Sequence, residues 1–199
     1  MPTTGDSKNH KAILEEAGRC LLEEGFTKTT MKNVADRLGM SRQTVYRTFE
    51  NRDDLLAALY IEQFYQRVFD KVHAKMKNAD FESSFIEGTK LTIELVRKSP
   101  VMIELMHRGG AQWFQNNMSD YGSSLHRRVM RAGEELWRGQ IESARLAGKL
   151  NPALTNDEIY DWLSTIHYMM IFRRKATMED HVALLEKLVI PALLNHSRN

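Results

Sequence analysis

The sequence predicts an all-α protein, with a three-helix N-terminal head on a larger helical body. Three observations predict it. Leu, Met, Glu, Arg and Ala, which favour helices, are abundant, while the 199 residues hold only 11 Gly and 4 Pro. Apolar residues recur at helical spacing from Ile13 almost to the C-terminus. No segment reads convincingly as a strand, and there is no internal repeat or low-complexity stretch.

Each element follows from local signals. Residues 1 to 8 read as a disordered lead-in. Ile13, Leu14, Ala17 and Leu21 then share one helical face, and Gly25 can take the left-handed conformation that ends the helix. Met31, Val34, Ala35 and Leu38 mark a second helix that Gly39 stops. Ser41 caps a third, very short helix ending near Phe49. Asn51 caps a fourth, expected to run from Asn51 to Asn78, with Asp53 and Asp54 in the first turn, where the helix dipole favours negative charge. Its apolar positions include Phe64, Val68, Val72 and Met76.

Beyond it, Phe85 to Val96 reads as helix. Pro100 breaks the chain, because the residue before a proline avoids the helical region. Val101 to Met106 is a short helix interrupted by Gly109 and Gly110. Leu125, Val129, Ala132 and Leu136 mark a long helix ending at Gly148, and a turn spans Asn151 to Thr155. Ile159, Trp162, Leu163, Ile166 and Met170 mark the next helix. Val182, Leu185, Val189 and Ala192 mark the last, which Pro191 kinks or ends. The implied division is a head over residues 1–50 and a body over residues 51–199.

Composition bounds the function. A net charge of +2 excludes a strongly basic nucleic-acid coat but permits a local basic patch. One cysteine, Cys20, precludes an intrachain disulfide and fits a reducing cytoplasm. It falls on or beside the apolar stripe of the first helix and reads as a core residue, not a redox sensor. No apolar run approaches the roughly 20 residues that span a bilayer. The polar start lacks the apolar core of a signal peptide. Together these point to a cytoplasmic protein with no membrane association.

The informative stretch is Thr27 to Arg52. Val45 and Phe49 stand four residues apart on the third helix and can pack on Val34 and Leu38. The opposite face carries Arg42, Gln43, Tyr46 and Arg47. One apolar stripe thus holds the helix, while the outward face offers donors for base edges and phosphates. Six basic residues lie between 27 and 52 (Lys28, Lys32, Arg37, Arg42, Arg47 and Arg52) against two acidic ones, Asp36 and Glu50. Acidic residues concentrate elsewhere, as at Glu15, Glu16, Glu23 and Glu24.

The run TTMKNVADRLGMSRQTVYRTFENRDDLL resembles the signature of the TetR family of bacterial transcriptional regulators. Thr30, Ala35, Gly39, Ser41, Thr44, Val45, Tyr46, Phe49, Asn51 and Leu55 fit it, as do Gly25 and Phe26 at the exit from the first helix. Arg47 and Thr48 stand where a pair of aromatic or His residues is frequent, and Arg52 where Lys is usual. The first departure bears on operator identity, not on DNA binding. The resemblance implies that Thr30, Tyr46 and Arg52 hold phosphates, while Arg42, Gln43, Thr44 and Arg47 face the major groove of double-stranded operator DNA. It also implies a homodimer joined through the last two helices, whose apolar faces are broad enough to need two partners. The plainer reading of this stretch is a helical hairpin with a solvated basic face, which the many spaced matches disfavour.

The resemblance further implies a small-molecule effector, hydrophobic or aromatic, that releases a repressor from its operator. Met102, Met106, His107, Trp113, Phe114, Trp137, Trp162 and His167 are candidates to line its pocket, with helical core as the competing reading for each. The alternative is a DNA-binding regulator without a ligand, but such a protein needs no helical body rich in Met and Trp. An enzyme is disfavoured, since the sequence has no nucleophile motif and no Gly-rich phosphate loop. No two histidines stand four apart on one helix, so neither a metal site nor a cofactor is expected.

Overall fold

The computed structural model describes residues 4–77, 79–173 and 175–195, and these are helical throughout save for turns and one isolated β-bridge, Leu150 with Leu194. By compactness the chain divides into two units. The first comprises Met1–Tyr65 with Lys98–Arg128, and the second Gln66–Arg97 with Val129–Asn199.

The first unit opens with α1 (Thr4–Glu24), which buries Ile13, Leu14, Ala17, Cys20 and Leu21. The helix begins earlier than expected, so residues 4–8 extend it, while residues 1–3 of the expected lead-in lie outside the described residues. Extending a nucleated helix by a turn costs far less than starting one. A 3₁₀ turn, Phe26–Lys28, leads to α2 (Met31–Leu38) and α3 (Arg42–Thr48). Gly39 stands at φ 63°, and the N–H groups of Gly39 and Met40 donate back to Asp36 and Ala35 at 3.2 and 3.0 Å. That tight reversal needs a residue free to adopt positive φ, which is why glycine separates the two helices. The unit continues with α4 (Arg52–Phe64), α7 (Pro100–His107) and α8 (Ala111–Ser119). Pro100 occupies the first turn of α7, where its missing N–H costs nothing, and Ser99 caps that helix.

The second unit is built from Gln66–Arg97 and Val129–Asn199. A π-helical turn, Tyr65–Phe69, follows α4 and leads to α5 (Asp70–Met76), so the expected single helix carries one wide turn; its expected end, Asn78, lies outside the described residues. Then come α6 (Phe81–Arg97), most of α9 (Ser124–Leu146), α10 (Asn156–Phe172) and α11 (Met178–Leu184). A second π turn, Leu185–Val189, precedes the short α12 (Ile190–Leu193), where Pro191 removes a ladder donor. Ala192, expected on the apolar stripe, is exposed because that turn shifts the register. Arg145 fastens the turn between α9 and α10, its guanidinium donating to the carbonyls of Asn151 and Leu154 and to the Asn156 side chain.

At the core of the second unit, the His167 ring stacks on Trp137 with centroids 5.6 Å apart and lies 5.9 Å from Phe85. Its Nε2 is 2.7 Å from Thr89 Oγ1. Burial pushes this imidazole down to about 4, against a smaller opposing effect from its hydrogen bond with the Leu163 carbonyl. The unfolded chain therefore takes up a proton near pH 6.5, while the folded one resists until about pH 4. Stability should be fully present above pH 6.5 and be lost as pH falls through this window, by about 2 kcal/mol from this residue. Urea unfolding at pH 7 and pH 4.5 checks it. Wild type should lose about 2 kcal/mol more than His167→Gln across that interval, and equal losses would contradict the assignment.

Candidate nucleic-acid interface

The head builds an outward face from two capped helices. Thr30 caps α2, its hydroxyl accepting from the Asn33 N–H at 3.1 Å, which leaves the hydroxyl proton to donate. Ser41 caps α3 by accepting from the Thr44 N–H at 3.1 Å, and the Thr44 hydroxyl lies 2.9 Å from Ser41 Oγ. Val45 and Phe49 are buried, and the His10 ring covers Phe49 at 4.9 Å. With that side fixed, Arg42, Gln43, Tyr46 and Arg47 are exposed on the other; Tyr46 keeps 54% of its surface in solvent. Thr44 is half-buried, drawn toward the cap.

Two of the basic residues in this stretch are engaged within the head. Arg37 reaches back to α1, pairing with Glu23 at 2.6 Å, with Glu24 at 2.7 Å and with the buried carboxylate of Glu16. These carboxylates hold its guanidinium well above the ordinary arginine range. Glu16 also receives Arg19 at 2.6 Å. A carboxylate left unpaired at so buried a site would be costly, which accounts for the cluster.

Arg52 is the second. Its Nε donates to the Thr29 carbonyl at 2.7 Å and its Nη2 to the Phe26 carbonyl at 2.5 Å, while the guanidinium sits 4.3 Å from the Phe26 ring centroid. Burial lowers its pKa. The guanidinium expected to hold a phosphate is thus engaged within the head in this structure. Its fork is committed to two backbone carbonyls at the exit from α1, geometry that suits a planar bidentate donor. Besides the ion-paired Arg37, the exposed cations of the stretch are Lys28, Lys32, Arg42 and Arg47, and the two lysines are not among the expected contact residues.

The start of α4 is held from a second direction. Asp54 accepts from Ser124 Oγ at 2.7 Å and from Arg128 Nη2 at 2.9 Å, and Asp53 accepts from Trp113 Nε1 at 2.8 Å. Burial acts to raise the Asp54 carboxyl, but the hydrogen bonds from Ser124, Arg128 and the Glu50 N–H outweigh it and the net shift is downward. No local sequence pattern announces these contacts, which join residues 60 to 74 positions apart.

The eight candidate pocket residues divide between the units. Met102, Met106 and Phe114 are buried in the first, where Phe114 meets Tyr60 edge-on at 4.9 Å. His107 is half-buried there, and Trp113 is engaged with Asp53. Trp137 is buried in the second unit against the half-buried His167, whereas Trp162 is 41% exposed. Cys20 is wholly buried, its thiol donating to the Lys28 carbonyl at 3.6 Å, and burial raises its pKa. That is the environment of an inert core thiol. No helix among the described residues is long and apolar enough to cross a membrane.

Comparison with known proteins agrees with this geometry. Residues 13–59 match the family model described as bacterial regulatory proteins, tetR family. The HTH-type transcriptional regulator YdeS of Bacillus subtilis strain 168 is 26% identical over 78% of this chain and 76% of its own. The structure of the transcriptional repressor QsdR of R. erythropolis superposes with a TM-score of 0.65 at 22% identity, covering 98% of this chain and 99% of that one. The regulator FadR of Bacillus subtilis, solved in complex with stearoyl-CoA, gives a TM-score of 0.57 at 14% identity, covering 92% and 98%. A capped helix-turn-helix with a cationic outward face, a match to the family model across it and an all-helical fold shared over nearly the whole chain lead to one conclusion: residues 13–59 carry the TetR-family helix-turn-helix, and the chain is a DNA-binding transcriptional regulator similar to members of that family.

Proposed function

We propose that this regulator is a homodimeric repressor whose DNA-binding head, residues 1–50, is controlled by a small molecule held in residues 51–199, working in the cytoplasm where its operator lies. The observation that carries the DNA-binding half is α3, locked by Val45 and Phe49 and presenting Arg42, Gln43, Tyr46 and Arg47 to solvent. In this reading those side chains and Thr44 enter the major groove. Thr30 and Tyr46 hold phosphates, joined by Lys28 and Lys32. One such helix per chain is too little for a specific site. Two copies would place α3 in successive major grooves, roughly one helical turn apart.

The second unit supports dimerisation. Trp162 and Met169 expose 41% and 53% of their surface on one face of α10, and Leu188 exposes 65% on the last helical segment. Large apolar side chains left outside a monomer mark surfaces that a partner covers. A second copy would cover them through α10 and the segment from α11 to α12.

FadR of Bacillus subtilis, a regulator of similar fold, is solved in complex with stearoyl-CoA, whose acyl chain is long and apolar, and this supports a small-molecule ligand here. Bound to this chain, an effector would lower operator affinity by displacing the far end of the helix that begins at Arg52. The coupling is reciprocal, so DNA must weaken effector binding by the same factor. The test is a thermal-shift screen of acyl-CoA thioesters and aromatic acids, with each hit then titrated against a duplex that the protein itself selects from a random library. The proposal expects a hit that raises the melting temperature and weakens that duplex. A hit that binds tightly and leaves duplex affinity unchanged would remove effector control for that compound. A chain that stays monomeric by light scattering, free and on DNA, would remove the dimer.

A further inference from the structure

We propose that Asp53 and Asp54 are positioning residues for DNA recognition, setting the direction in which α3 is presented by tying the first turn of α4 to α8 and to the start of α9. This rests on the dimer reading above, because direction matters most when two heads must fit one duplex.

Four observations carry it. First, α4 is already capped without these carboxylates, since Asn51 Oδ1 accepts from the Asp54 N–H at 2.9 Å. The Asp54 side chain is therefore spent elsewhere. Oδ1 takes Ser124 Oγ at 2.7 Å and Arg128 Nη2 at 2.9 Å, and Arg128 Nε donates to Ser124 Oγ at 3.0 Å, closing a three-membered network. Second, Asp54 is buried enough for that network to be shielded, with its side chain 18% exposed against 40% for Arg128. Third, the anchor is itself held firmly. Ser123 Oγ donates to the Asn117 carbonyl at 2.5 Å and accepts from the His126 N–H at 2.9 Å, and His126 Nδ1 lies 2.9 Å from the Met118 carbonyl. Fourth, α3 ends at Thr48 and α4 begins at Arg52, and the Glu50 N–H between them donates to Asp54 Oδ2 at 3.3 Å. A rotation of the first turn of α4 is thus passed to α3 through a short, hydrogen-bonded link. Charge-assisted bonds of this kind fix geometry more tightly than apolar contact does.

The test separates positioning from simple bracing by reading half-site spacing. The protein selects its preferred duplex from a random library. Affinity is then measured for that duplex and for versions with one base pair inserted or removed between the half-sites. Wild type should prefer one spacing. Arg128→Met, which keeps the aliphatic stem, and Ser124→Ala should reduce that preference by roughly fivefold or more, while Arg128→Lys retains part of it. Trp113→Phe removes the N–H donor together with part of the ring that meets Phe26 and Phe114, should give a smaller reduction, and carries the test if Arg128→Met does not fold. Melting temperatures are recorded on the same samples. A variant that loses affinity equally at every spacing, or none at all, overturns the positioning role and leaves the dimer standing. A wild-type protein with no preferred spacing overturns both.

Discussion

Replacing Arg52 by Ala should destabilise the head by about 3 kcal/mol while leaving the salt dependence of DNA binding unchanged. The guanidinium supplies two charge-assisted hydrogen bonds, at 2.5 and 2.7 Å, and a face-on contact with Phe26. Thr29 is wholly buried, so truncation leaves its carbonyl without this donor in a place water does not reach. Arg52→Lys should recover little, because an ammonium cannot span both carbonyls as the planar fork does. Denaturant unfolding at neutral pH reads the stability. Duplex titrations over a range of salt read the contact. A residue that neutralises a phosphate lowers the salt slope by about 1 when removed. A slope that falls by that amount, with stability intact, would return Arg52 to the DNA surface.

This residue shows where sequence reasoning ends. The spaced motif places Arg52 at the start of α4 correctly, but a motif carries no direction for a long side chain. Direction is decided by the carbonyls of Phe26 and Thr29, which come within reach only after α1 and α4 have packed. Arg37 is the same case, since its partners Glu16, Glu23 and Glu24 look like solvated charges in the sequence of α1. The local charge of the 27–52 stretch therefore overstates what faces DNA.

Short-range signals were more legible. The caps at Thr30, Ser41 and Asn51 and the reversal at Gly39 involve contacts three to five residues apart, so they follow from local sequence. The helix Ala111–Ser119 was not anticipated. Gln112, Gln115, Asn116 and Asn117 leave it no apolar stripe, and only Phe114 is buried along it. The candidate pocket residues were legible as apolar and aromatic positions but not as a site, because packing alone decides whether such a side chain lines a cavity or fills a core. Trp113 illustrates this, since its ring is read as pocket or core while its N–H is claimed by Asp53.

The exposed face of α3 should divide its residues into two kinds by experiment. Gln43→Ala and Arg47→Ala should relax preference at particular base pairs, each by roughly 1–3 kcal/mol, or about 5- to 150-fold in affinity for the preferred duplex. A Gln amide pairs bidentately with adenine and an arginine fork with guanine, so losing either removes a donor pattern that only one base satisfies. Neither change should unfold the head, since both side chains lie outside the stripe of Val45 and Phe49. Lys28→Ala and Lys32→Ala should act differently. An ammonium on a phosphate reads charge, not sequence, so these variants should weaken all duplexes alike and reduce the salt slope by about 1 each. Measuring each variant against the preferred duplex, single-base variants of it and an unrelated duplex, at two salt concentrations, separates the classes. Should Lys32→Ala alter base preference while Arg47→Ala changes only the salt slope, α3 would not be the helix that reads the groove, and the head would have to approach DNA through the N-terminal end of α2 instead.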